Sequence, residues 1–144
     1  MKIFVAASYS SQVNYETGQV FPEYKEWLED ILGTIEAGGH TVFCALRADG
    51  YQINDSDPAA AFSLDMEHIE ESDALLALLT DKPSVGVQTE IGAAVALKKK
   101  VLLAHLPEHE LAYFNAAILK AGMAQEIMLP ITKEALDNIV HTDA

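Results

Sequence analysis

Two rhythms of hydrophobic spacing alternate along this chain. Short apolar runs are separated by longer segments in which apolar residues recur every three or four positions. Lys2–Ala7, Ala74–Leu79 and Lys100–Ala104 are runs of the first kind and predict buried strands. His40–Leu46 and Glu126–Leu129 predict two more. Between them, Pro22–Ala37 places Tyr24, Trp27, Leu28, Ile31, Leu32 and Ile35 on one helical face, and Gly38–Gly39 ends that helix. Pro58–Ser72 predicts a helix with Asp57 as its N-cap and Pro58 in its first turn. Val85–Lys98, Glu110–Ala121 and Thr132–His141 predict the remaining helices. Strands that alternate with helices form a parallel sheet covered on both faces. Right-handed crossovers then predict an α/β, flavodoxin-like or Rossmann-like domain over residues 1–144, with five strands in the order 2-1-3-4-5. In such sheets ligands sit beyond the carboxyl ends of the strands, which points to the loops Ser8–Phe21, Arg47–Asp57 and Thr80–Gly86.

Composition narrows the function. The chain has 144 residues, half of them hydrophobic, enough for one domain with its own core. A net charge of -13 argues against a nucleic acid polymer as partner, because a phosphate backbone needs a basic surface. A small nucleotide is still compatible, since backbone N–H groups and hydroxyls can hold it. The single cysteine, Cys44, precludes an internal disulfide and suits a reducing cytosol. No leader segment or membrane span is expected, which together predict a soluble cytoplasmic protein.

Two carboxylates stand where carboxylates are unusual. Glu90 is the only charged residue between Lys82 and Lys98, and shares a helix face with Ala93, Ala94 and Leu97. Burying an unpaired carboxylate costs several kcal/mol, so it needs a partner or a task. Near a helix N-terminus its anion suits a nucleophile, though capping the first turn is the plainer role. Asp65 clusters with Phe62, Met66 and Ile69 on the buried edge of its helix. It could orient Glu90, protonate a departing group, or simply bind loop backbone. Ser84 and the N–H groups after it, at Val85 and Gly86, form an anion or hydroxyl site, or an N-cap, or both. His105 and His109 are separated by Pro107, so they make a poor metal pair; Asp49, Asp55 and Asp57 lack calcium-loop spacing. No metal and no cofactor is expected.

Three segments carry a resemblance. They are Lys-Ile-Phe-Val-Ala-Ala-Ser at 2–8, Asp65 in a helix ending Ile-Glu-Glu-Ser-Asp at 69–73, and the run from Pro83 to Leu102 that contains Ser84, Gly86 and Glu90. Together they resemble the nucleoside 2-deoxyribosyltransferase superfamily, and within it the 2'-deoxynucleoside 5'-phosphate N-hydrolases. The resemblance implies an enzyme that cleaves or transfers at the N-glycosidic bond of a nucleoside or nucleotide. It implies Glu90 as the nucleophile that forms a glycosyl-enzyme, Asp65 as its partner carboxyl, and Ser8 and Ser84 as phosphate contacts. Tyr9, Ser10 and Gly86 fall beside them in the expected substrate-binding set, with Arg47 as a possible cation from the second loop. It also implies a homodimer or higher assembly with shared sites, to which Asn115 comes from the neighbouring subunit. The N-hydrolase branch has Arg where this chain has Ser10, which shifts the expected substrate towards nucleosides. The competing class is a non-catalytic nucleotide-binding or sensor domain on the same fold. Whether Glu90 and Asp65 face one pocket separates the two.

Overall fold

A computed structural model describes residues 1–53, 56–80 and 82–140, without the side chains of Ser10 and Val140. Its elements are β1 (Lys2–Ala6), β2 (Val13–Asn14), β3 (Gln19–Val20), α1 (Pro22–Ala37), β4 (Thr41–Phe43), α2 (Ala45–Ala48) and α3 (Pro58–Glu71). They continue with β5 (Ala74–Leu78), α4 (Val85–Ala96), β6 (Lys100–His105), α5 (Tyr113–Lys120), β7 (Gln125–Met128) and α6 (Lys133–Val140). The main sheet is parallel throughout and ordered β4-β1-β5-β6-β7, the expected 2-1-3-4-5 path.

The two-residue period of a strand decides which side chains meet. Ile3 and Val5 of β1, Leu76 and Leu78 of β5, and Leu102 and Ala104 of β6 point to one face, where Leu28, Leu32 and Ile35 of α1 and Leu136 of α6 cover them. Phe4 and Ala6, Leu75 and Ala77, and Val101 and Leu103 point to the other, against Ile69 of α3 and Val87, Ile91 and Ala94 of α4. Both faces are dry, so the central strands are apolar at every position. No helix among the described residues is long and apolar enough to cross a membrane.

Two features differ from the sequence pattern. The second strand stops at Phe43; Cys44 then starts the short helix α2, so Leu46 is buried from a helix rather than a strand. Arg47 on that helix pairs with Glu29 and Glu36 of α1 at 3.2 and 2.8 Å, and Tyr51 donates its hydroxyl to Glu29. These contacts pin the second loop to α1. The long first loop folds into a 3-10 turn at Ser10–Gln12 and the antiparallel pair β2–β3, closed by Gly18 at φ +74°. A bridge from Gln19 to Gln52 ties this hairpin to the second loop. The predicted helix end at His141 and the loop residue Asp55 lie outside the described residues.

Candidate active site

Every parallel strand ends at the same rim, so the loops after β1, β4 and β5 converge. A cavity of about 360 Å³ opens between them, lined by Tyr9 from the first loop, Cys44 and Ala45 at the start of α2, Asp65 and Met66 of α3, and Gly86 and Glu90 of α4. Helix α3 packs against α4, which brings Asp65 and Glu90 into this one cavity. Asp57 accepts a hydrogen bond from the Ala60 amide at 3.1 Å and caps α3; Ser84 accepts one from Val87 at 3.4 Å and caps α4. The two caps fix where the carboxylate-bearing helices begin.

The electrostatics of the pair are unusual. Burial, reinforced by the nearby Asp65 charge, pushes the Glu90 carboxyl up to about 8. Burial and the charge of Asp49 raise Asp65 as well. Two carboxyls that interact in this way do not both ionise freely, and the pair retains a proton at neutral pH. Gly86 leaves the floor of the cavity open. A Cβ there would meet nothing nearer than Ser84 Oγ at 3.9 Å, so no protein contact requires glycine. Cys44 is buried in the same wall, with its thiol pushed up by burial.

A second cavity of about 390 Å³ adjoins the first across Ser84 and Val87. Ser8, His105 and Asn115 line it, and these are three of the few buried polar side chains among the described residues. Ser8 Oγ lies 3.0 Å from Ser11 Oγ. His105 is fixed at both nitrogens, Nδ1 at 2.7 Å from the Leu106 carbonyl and Nε2 at 3.0 Å from Glu126. The Asn115 Oδ1 is buried with no hydrogen-bond partner among the described residues. Lys82 and His109 complete the polar lining, with Glu110 on the same wall.

The expected site residues therefore divide. Glu90, Asp65, Tyr9, Ser84 and Gly86 meet in the first cavity, and Ser8 and Asn115 join Ser84 in the second. Arg47 lines neither; its guanidinium is occupied by Glu29 and Glu36. The side chain of Ser10 lies outside the described residues. Asn115 turns into the cavity of its own subunit while Tyr113 and Phe114, two residues and one residue earlier on the helix, point outward. Lys82 and the two histidines were not expected at a substrate site. Nothing in the local spacing reveals them, because the end of β6 reaches the loop after β5 only through the sheet register.

A family model described as nucleoside 2-deoxyribosyltransferase matches residues 17–137, and the chain belongs to this family. Among individual relatives, a 5-hydroxymethyl-dUMP N-hydrolase of Branchiostoma floridae is 43% identical over 58 residues. That stretch is 40% of this chain and 54% of the relative, so the chain spans about half the length of that curated protein. The CMP N-glycosidase BcmB of Clostridium botulinum has a similar structure, with a TM-score of 0.67 at 23% identity, covering 99% of this chain and 100% of the other. A 2-deoxyribosyltransferase of Bacillus psychrosaccharolyticus gives 0.66 at 20% identity, covering 99% and 93%. At these identities the two structures speak to the fold alone.

Proposed function

We propose that this chain is an enzyme that cleaves or transfers at the N-glycosidic bond of a nucleoside 5'-monophosphate, through a glycosyl-enzyme on Glu90. The observation that carries this reading is the convergence of Glu90 and Asp65 in one cavity at the strand ends. A purely binding domain gives no reason to set two half-buried carboxyls in one cavity. In the first step Glu90 ionises and the pair's proton rests on Asp65. A Glu90 oxygen then attacks the anomeric carbon as the bond to the base nitrogen breaks, and Asp65 gives its proton to the departing base. Water, or the nitrogen of a second base, attacks the same carbon and releases Glu90. The chemistry uses side chains alone, with no cofactor.

The second cavity supports the 5'-phosphate. Lys82, the hydroxyls of Ser8 and Ser84 and the amides that begin α4 surround a space next to the sugar position. Lys82 supplies a cation that Ser10 does not, so the preference runs to the monophosphate rather than the nucleoside. The name of the N-hydrolase, a protein that acts on a nucleotide, agrees with this reading.

Incubation with a panel of nucleosides and nucleotides, followed by chromatography for free base, tests the assignment. Glu90→Gln keeps the shape and removes the nucleophile, so turnover should fall by about a thousand-fold or more while the fold survives. A monophosphate should exceed its nucleoside in kcat/KM by about a hundred-fold, and Lys82→Ala should remove about ten-fold of that. Wild-type turnover in Glu90→Gln would overturn the mechanism.

A second copy of the chain is the expected partner. Val85 is 84% exposed, Tyr113 83% and Phe114 72%, and their neighbours Ser84 and Ala112 both line the second cavity. A homodimer through this apolar rim would cover the cavity mouths.

A further inference from the structure

We propose that the cavity beyond Tyr9 and Asp65 is the nucleobase subsite, and that Asp49 makes it select bases with an exocyclic amino group, guanine best of all, over uracil and thymine. The inference rests on the N-glycosidic reading above. This third cavity is about 400 Å³ and shares Tyr9, Ala45 and Asp65 with the cavity of Glu90. A base bonded to a sugar carbon at Glu90 enters it directly. Tyr9 donates its hydroxyl to the Gln52 carbonyl at 2.8 Å, which fixes the ring at the junction. Phe43, Ala48, Ile53 and Leu64 supply apolar walls suited to a flat ring.

Charge orients the substrate. Neither cavity has a Lys, Arg or His among its lining residues, whereas Lys82, His105 and His109 line the one on the far side of Ser84. An anionic 5' end therefore belongs at the Lys82 side and a neutral base at the Asp49 side. Within the third cavity, Asp57 is engaged by the Ala60 amide. Asp65 stands at the junction, beside the bond to be broken. The Asp49 carboxylate carries no hydrogen bond among the described residues, while its backbone is held by the bond from its N–H to the Ala45 carbonyl at 2.9 Å. The backbone thus holds Asp49 at the open edge of the cavity, with its exposed carboxylate accessible to a ligand.

An ionised carboxylate only accepts hydrogen bonds. Guanine offers it N1–H and the 2-amino group side by side; cytosine and adenine each offer one amino group. Uracil and thymine offer a single N–H flanked by two carbonyls, which the carboxylate repels.

The test compares wild type, Asp49→Asn and Asp49→Ala on the 5'-monophosphates of all five bases, in the ribose and deoxyribose series. Wild type should favour the amino-bearing bases in kcat/KM by about ten-fold or more. Asp49→Asn, which both donates and accepts, should narrow the gap and raise uracil in absolute terms. Asp49→Ala, which removes the repulsion but supplies no donor, should narrow it with a smaller rise for uracil than Asp49→Asn gives, an ordering that loss of structure does not produce. Equal rates across bases in wild type, or a preference that survives both substitutions, would overturn the proposal and leave the N-glycosidic reading intact. If no nucleotide is cleaved, that reading fails, and calorimetric titration of the same nucleotides decides the base subsite. A preference in Kd for amino-bearing bases that Asp49→Asn abolishes sustains it; equal affinities, or no binding, end it.

Discussion

At Glu90 one side chain couples folding to the proposed chemistry. Its carboxyl is raised from the ordinary 4.5 to about 8, so the folded protein keeps a proton that the unfolded chain releases between those values. Stability from this group is complete below about pH 4.5 and is lost as pH rises through 8. Glu90→Gln has no proton to lose. The Tm advantage of Glu90→Gln over wild type should therefore grow across this window, reaching on the order of 10 °C. Thermal denaturation of both proteins from pH 4 to pH 9 measures it, and a flat difference would mean that Glu90 is not buried as described. In the proposed mechanism the same proton enters catalysis. If the pair must hold one proton for the departing base, kcat/KM declines above about pH 8. A profile that instead climbs through that pH would remove Asp65 as the acid.

At the scale of elements, helix α4 gives up local stability for access. Its first turn carries Gly86, where no protein atom requires glycine and the backbone is helical. Alanine there improves helix propensity by about 0.5–1 kcal/mol. It also places a methyl group in the cavity that holds Glu90. Gly86→Ala should thus raise Tm slightly and lower kcat/KM by about ten-fold, with most of the change in KM. Thermal scans and steady-state kinetics on one preparation check both halves. A stabilised variant with unchanged kinetics would move the substrate away from this turn. Helix α2 is held differently: Arg47 is engaged by two glutamates of α1, so its role is to anchor the loop that carries Asp49.

At the scale of the whole molecule, the exposed Val85, Tyr113 and Phe114 lead us to expect a dimer. Sedimentation at assay concentration should give twice the mass of one chain, and Tyr113→Glu with Phe114→Glu should give the monomer. A wild-type monomer would remove the interface. Mixing Glu90→Gln with Asn115→Ala protein asks which subunit Asn115 serves. Because Asn115 is buried in the cavity of its own chain, mixed dimers should regain no activity by sharing. Recovery after verified subunit exchange would place it in the neighbouring site.

What the sequence alone determined follows from periodicity and isolation. The strand order is legible because apolar runs alternate with amphipathic helices, and few right-handed topologies fit that alternation. Glu90 and Asp65 stand out because a carboxylate on an apolar face breaks a local pattern that any window reveals. The remainder depended on contacts between distant segments. The hairpin β2–β3 has strands of two residues, too short for a period, and is held by Gly18 and by Gln52 from another loop. Arg47 looks free in the sequence, yet a helix that precedes it by several residues claims its charge. Lys82 lies in the loop after β5, His105 at the end of β6 and His109 in the loop that follows it, and they line one cavity only when β6 pairs with β5. Asp49 lies on the far side of Asp65 from Glu90 for the same reason: local pattern states what each segment is, but only tertiary packing states which segments face each other.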